Sequence, residues 1–138
     1  MEVLIFMEIG LNDIYKNNIG GQMSYQLNFN VALDCLDKDE LLARINGQSN
    51  FVLVDTIGTY DGNKFKIKGS TTIPYTEVVD RRKELESFDE IIIYCKHKDC
   101  VASKKVASGL KLQNIANVKV YEGGIDEWVA CNLPVEEE

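Results

Sequence analysis

The sequence is poor in the residues and patterns that would commit it to a membrane, a metal or a nucleic acid. No stretch approaches the roughly 18–20 consecutive apolar residues of a membrane helix. The N-terminus, Met1 to Glu8, opens apolar but has no basic leader and is interrupted by acids, so it reads poorly as a secretory signal. A single histidine and no second cysteine pair argue against a zinc site. Basic residues are in deficit: 15 Lys and Arg stand against 22 Asp and Glu, a formal net charge of −7. Phosphate binding needs a basic face, so nucleic acid is not the expected partner. There is no internal repeat, low-complexity tract or interdomain linker. Four cysteines, Cys35, Cys95, Cys100 and Cys131, could pair, but a chain of 138 residues builds a core without staples. Reduced thiols and a cytoplasmic location are the expectation.

What is present is an ordinary globular balance, 45% hydrophobic and 27% charged, sized for one domain. Residues 1–33 read as an extension. Leu4, Met7, Leu11 and Ile14 fall at helical spacing before the turn-prone Asn17-Asn18-Ile19-Gly20-Gly21, and Met23 is an alternative start. The domain itself is assigned to 34–138.

From Leu36 the pattern sharpens. Asp37 and Glu40 form a capping box for a helix through Leu41, Leu42 and Ile45, ended by Asn46-Gly47. Phe51 to Asp55 is a short apolar run ending in an acid, the pattern of a strand buried on both faces. After a loop through Gly58, Asp61, Gly62 and Asn63, residues 67–74 are expected to be extended. Thr76 is expected to cap a helix that buries Val78, Val79 and Leu85 and leaves Arg81, Arg82, Lys83 and Glu84 in solvent. Glu90 to Cys95 and Val118 to Tyr121 repeat the strand pattern. Between them Ala102, Val106 and Leu110 lie four apart on a helix whose exposed side takes Lys104, Lys105 and Lys111; Gly109 weakens it by about 1 kcal/mol relative to Ala. A last helix around Trp128 stops before Pro134. Strand and helix alternate with short connections, which predicts an α/β domain: a parallel sheet covered by helices on both faces.

In open sheets of this kind ligands sit beyond the carboxyl ends of the strands. Asp55, Cys95 and Glu122-Gly123-Gly124 fall there, and Cys95 is the only nucleophile among them. A helix begins about five residues after it, around Cys100-Val101. Unpaired N–H groups at that helix start, with Lys96, His97 and Lys98, would favour thiolate over thiol and hold an anion or an outer persulfide sulfur. The Cys95 thiol is therefore expected to titrate below the ordinary value of about 8.5. Asp55 is read as shaping its turn, Gly123 and Gly124 as allowing a tight one, and Trp128 as core. Cys35 and Cys131 receive no role.

From about Leu36 onward these residues resemble rhodanese-like domains, the single-domain sulfurtransferases. The resemblance rests on Val52-Leu53-Val54-Asp55, the segment Ile67 to Pro74, Tyr94-Cys95, and Val120-Tyr121-Glu122-Gly123-Gly124-Ile125-x-x-Trp128 followed by Leu133-Pro134-Val135, in order and at the family's separations. It implies a central parallel sheet of about five strands with helices on both faces. It also implies a persulfide on Cys95 that accepts sulfur from a small donor such as thiosulfate or a persulfide and passes it to a thiol, a protein thiol included, or another nucleophile, with no metal or organic cofactor. Lys96, His97, Lys98, Asp99, Cys100 and Val101 would then form the substrate-binding loop. The six residues from Cys95 to Cys100 match the sulfur-transferring branch; phosphatase and arsenate-reductase relatives use a longer Cys-x5-Arg loop, and Val101 occupies that arginine position.

Three positions depart from the usual pattern. The loop lacks the arginines and glycine of Cys-Arg-x-Gly-x-Arg/Thr, Ile57 replaces an arginine, and Lys66 replaces a histidine. Lysine is a point charge rather than a bidentate fork, so thiosulfate is expected to be held less well. Cys-x4-Cys followed by Ala102-Ser103 resembles a variant subgroup with a second loop cysteine. Two other functions follow from these departures: a non-catalytic binding or sulfur-sensing module, and a thiol–disulfide redox protein using Cys95 and Cys100. In the latter, Cys100 is the resolving thiol, which requires the two sulfurs on the same side of the loop.

Overall fold

The computed structural model describes residues 32–59 and 62–137, and the elements given below are those of the described residues. The N-terminal helical spacing at Leu4 to Ile14, and Met23, lie outside the described residues, as does Asp61 of the expected loop.

A short strand, β1 (Asp34–Leu36), leads into α1 (Lys38–Asn46). The capping box that starts α1 is complete: Glu40 N–H donates to Asp37 Oδ1 (2.8 Å) and Asp37 N–H to Glu40 Oε1 (3.0 Å). Next come β2 (Phe51–Asp55), β3 (Phe65–Ile67) and β4 (Thr71–Thr72). A 3-10 turn at Arg82–Glu84 precedes β5 (Glu90–Tyr94), and α2 (Ala102–Leu112), β6 (Val118–Tyr121), α3 (Gly124–Ala130) and β7 (Val135–Glu137) complete the chain.

Five strands form one parallel sheet in the order β1-β6-β5-β2-β4, while β3 and β7 pair antiparallel in a separate ribbon. The three apolar runs recognised from sequence, β2, β5 and β6, are therefore the interior strands. Their alternation divides the core. Val52, Val54, Ile91, Ile93, Val118 and Val120 face Val106, Ala107 and Leu110 of α2 and the segment bearing Ile73, Val78 and Leu85. Leu53, Ile92, Tyr94 and Tyr121 face Leu41 of α1, Ile67 of β3, and Ile125 and Trp128 of α3. Both faces are covered, as continuous apolar strands require. Trp128 is core, with its ring nitrogen donating to Pro134 O (2.8 Å).

The expected helix after Thr76 is not an α-helix. The segment is a run of turns, with Glu77 N–H bonded to Pro74 O, Arg81 N–H to Glu77 O and Arg82 N–H to Val79 O, ending in the 3-10 turn. The β-branched pair Val78-Val79 followed by Asp80 has low helix propensity, and burial of Val78 and Leu85 is met by the turns. Residues 67–74 likewise are not one extended run; a Lys68-Gly69 turn, with Gly69 at φ +86°, separates β3 from β4. Gly109 has a packing reason for its place in α2. A Cβ there would stand 2.9 Å from Val79 Cγ2, so glycine lets the helix approach the turn segment.

Glu90, at the head of β5, links two elements: it accepts from Arg44 Nε (3.0 Å) and Lys119 Nζ (2.8 Å). Its carboxyl is held below the usual range chiefly by the Arg44 hydrogen bond, with Lys119 adding to the effect. A depressed folded-state value means that this stabilisation is present above the unfolded value of about 4.3 and is lost as pH falls through the folded value. Glu90→Gln should therefore lower stability at pH 7 by about 1–2 kcal/mol and flatten the acid limb of the stability curve. Urea titrations between pH 3 and 7 check this; an acid limb identical to wild type would remove the role assigned to Glu90.

Candidate active site

Cys95 follows the last residue of β5 and is 2% exposed. Three loop features hold it. On the β2 side, Thr56 sends both its N–H (3.2 Å) and its hydroxyl (2.9 Å) to Tyr94 O. The Asp55 carboxylate accepts from Ile57 N–H (2.9 Å), Gly58 N–H (3.2 Å) and Thr72 Oγ1 (3.3 Å), which makes it the organiser of the turn after β2.

On the β6 side, α3 begins directly beneath the loop. Ile125 N–H donates to Cys95 O (3.0 Å) and Asp126 N–H to Lys96 O (2.9 Å), so the first free N–H groups of α3 bind the loop carbonyls. Gly124 makes that contact sterically feasible. It lies at φ +73°, and a Cβ would stand 2.5 Å from Lys96 O and 2.6 Å from Cys95 O. The expected tight turn is thus also a close approach of backbones. Tyr121 OH donates to Glu127 Oε1 (2.6 Å), fastening the end of β6 to α3.

Around the sulfur, three acceptors lie within range of the thiol: Ser103 Oγ (3.3 Å), Cys100 O (3.6 Å) and His97 O (4.0 Å). Cys100 lines the same pocket as Cys95, and its own carbonyl is one of those acceptors, so the two cysteines lie close together in the loop. Both are free.

The expected acidification is not found. Burial, first, and then the neighbouring Cys100 thiol push the Cys95 thiol above its ordinary value, while the hydroxyl and backbone N–H of Ser103 pull it down without prevailing. The reason is geometric. The loop carbonyls of His97 and Cys100 turn toward the sulfur, Lys96 Nζ is engaged by Asp126 (3.4 Å), and Lys98 lines a different hollow with Cys35, Asp37, Glu40, Glu122 and Glu127. At rest Cys95 is a neutral, buried thiol.

Above it opens a pocket of about 580 Å³, walled by Thr56 and Ile57, by Pro74 to Thr76, and by Lys96, His97, Cys100, Val101, Ala102 and Lys105. Of the loop residues singled out from sequence, Lys96, His97, Cys100 and Val101 meet Cys95 in this pocket, and Lys98 and Asp99 do not line it. Ser103 and Lys105 were missed. Ser103 had a legible signal: with Val106, Ala107 and Leu110 it completes the buried stripe of α2, a polar residue on an apolar face aimed at a strand end. No group of three or more His, Cys, Asp or Glu among the described residues converges as a metal site would require.

Residues 37–131 match the Rhodanese-like domain family. The chain belongs to that family. Its rhodanese-like domain is 31% identical over 104 residues to the HTH-type transcriptional regulator Rv0324 of Mycobacterium tuberculosis, covering 75% of this chain and 45% of that protein. The chain thus spans under half the length of this curated relative. Among solved structures, the rhodanese-like domain of an Anabaena sp. protein superposes with a TM-score of 0.65 at 23% identity, covering 76% of this chain and 80% of that one. A thiosulfate sulfurtransferase from Pseudomonas aeruginosa superposes with a TM-score of 0.59 at 19% identity, covering 75% of this chain and 20% of that one. These likenesses establish the rhodanese-like fold. Among the described residues no helix is long and apolar enough to cross a membrane.

Ser103→Ala should remove a donor to the Cys95 thiolate. A hydrogen bond to a charged group is worth about 1.5 kcal/mol or more, or roughly one pKa unit. Iodoacetamide alkylation of Cys95 should therefore show a midpoint above about 8.5 in wild type and fall roughly tenfold in rate at pH 8 in the variant. A variant whose pH profile overlays wild type would show that Ser103 does not act on the sulfur.

Proposed function

We propose that this rhodanese-like domain is a sulfurtransferase whose Cys95 carries sulfane sulfur as a covalent persulfide. The observation that carries this reading is the placement of the buried Cys95 thiol in the pocket, at a strand end, against the Ser103 hydroxyl. That hydroxyl can accept from the resting thiol and donate to the thiolate that forms during reaction. Cys95 attacks the outer sulfur of a donor R–S–SH; the donor S–S bond breaks, and R–SH leaves with the proton. A thiol acceptor then takes the outer sulfur and restores Cys95. Every step is thiol–persulfide exchange, which needs no metal or organic cofactor. It does need reduced thiols, so a cytoplasmic setting fits it. Small donors and a thiol acceptor, a protein thiol included, are the partners this chemistry requires.

The closeness of Cys95 to Cys100, whose carbonyl lies 3.6 Å from the sulfur and which lines the same pocket, favours a second reading. Cys100 can attack the inner sulfur of the Cys95 persulfide, giving a Cys95–Cys100 disulfide and releasing hydrogen sulfide, with one sulfur and two hydrogens leaving together. Such a cycle reports sulfane sulfur instead of delivering it, and the curated relative's name, a transcriptional regulator, makes sensing a coherent alternative.

Intact mass after exposure to a persulfide donor tests both. Transfer predicts a gain of one sulfur on Cys95 that persists until an acceptor is added, and complete loss of loading in Cys95→Ser. Sensing predicts a product two hydrogens lighter than the starting protein, and a longer-lived persulfide in Cys100→Ala. Full loading of Cys95→Ser, with sulfur on Cys100 or Cys131, would move the site elsewhere.

A further inference from the structure

The pocket above Cys95 is lined both by buried residues, Cys95 and Thr56, and by exposed apolar ones, Tyr75 and Val101. Cys95 lines it while only 2% exposed as a residue, so a donor must reach it with a slim terminal atom while its body stays above. Among its lining residues Tyr75 and Val101 stand 51% and 56% exposed, and Ile57 and Pro74 add further apolar surface to the same pocket. Large apolar side chains held open at the entrance to a reactive thiol regain free energy when an apolar body covers them, at roughly 25 cal/mol per Å².

The charges argue in the same direction. Among the described residues no arginine lines the pocket. The Lys96 ammonium is paired with Asp126, and Lys105, one helical turn beyond Val101, is the other lysine on the wall among the described residues. A small dianion would have to shed its hydration on the way to a buried thiol with one rim lysine to replace it, and the chain's net charge of −7 opposes its approach.

We infer that this site selects a persulfide borne on an apolar organic thiol and discriminates against thiosulfate, with Tyr75 and Val101 as the specificity-determining residues. The inference rests on the sulfur-carrier reading of Cys95. The exchange is Cys95–SH + R–S–SH → Cys95–S–SH + R–SH: the Cys95–sulfur bond forms as the donor S–S bond breaks, the thiol proton passes to R–S, and no external oxidant or reductant enters.

Single-turnover loading of Cys95, followed by intact mass with benzyl persulfide, glutathione persulfide and thiosulfate at equal concentration, tests it. Benzyl persulfide should load about tenfold or more faster than either polar donor. In the double variant Tyr75→Ser, Val101→Ser, with an unchanged far-UV circular dichroism spectrum, the benzyl-to-glutathione ratio should fall about tenfold. Thiosulfate loading as fast as benzyl persulfide, or an undiminished benzyl preference in the double variant, overturns the inference while leaving Cys95 as the carrier. Failure of all three donors to load Cys95 overturns the carrier reading, and the specificity assignment with it.

Discussion

The site depends on one backbone contact: the N-terminus of α3 bound to the carbonyls of Cys95 and Lys96. A strand that ends in a nucleophile must turn sharply if the next helix is to pack back on the sheet, and the turn leaves carbonyl groups without partners. Here Ile125 and Asp126 supply the missing donors, and the absence of a side chain at Gly124 lets the two backbones meet. The Tyr121–Glu127 hydrogen bond and the edge-on packing of Tyr121 against Trp128, 5.8 Å between ring centres, fix α3 in that position. The loop from Lys96 to Val101 is thereby closed at its base and free to shape only its outer half.

This arrangement also sets the electrostatics. With the α3 donors committed to carbonyl oxygens, they are not available to the sulfur. The helix that follows the loop, α2, contributes the Ser103 N–H and hydroxyl, and against these stand burial and a second thiol. A neutral resting thiol is the result. A buried neutral thiol is protected from adventitious oxidation, since the thiolate is the reactive species. It becomes a nucleophile only when a proton has somewhere to go, and a persulfide donor provides that place in its leaving sulfur.

The interior of the fold was legible because parallel strands buried on both faces leave continuous apolar runs, and β2, β5 and β6 each carry one. The edges were not. β1 buries one of its three residues, Leu36, and β7 none, so neither differs from loop sequence. The turn segment after Thr76 carried apolar residues at helical spacing, but spacing alone does not separate a helix from successive turns that bury the same two side chains. At the site, Cys95 and Asp55 could be placed from their strand ends. The direction of the Cys95 acidity could not, because it turns on where carbonyls point and which lysines are already paired. Ser103 was not legible from the loop because it lies eight residues beyond the cysteine and meets the sulfur only through the packing of α2 on the strand end.

The central claim is that Cys95 holds sulfur in order to give it away. The most direct test starts from protein loaded with radiolabelled sulfane sulfur, freed of donor, and mixed with an excess of a thiol acceptor. If Cys95 is a carrier, label should appear on the acceptor as a persulfide in equal amount to that lost from the protein, and both Cys95 and Cys100 should return as free thiols. Release of the label as hydrogen sulfide before acceptor is added, with a Cys95–Cys100 disulfide left behind, would contradict it.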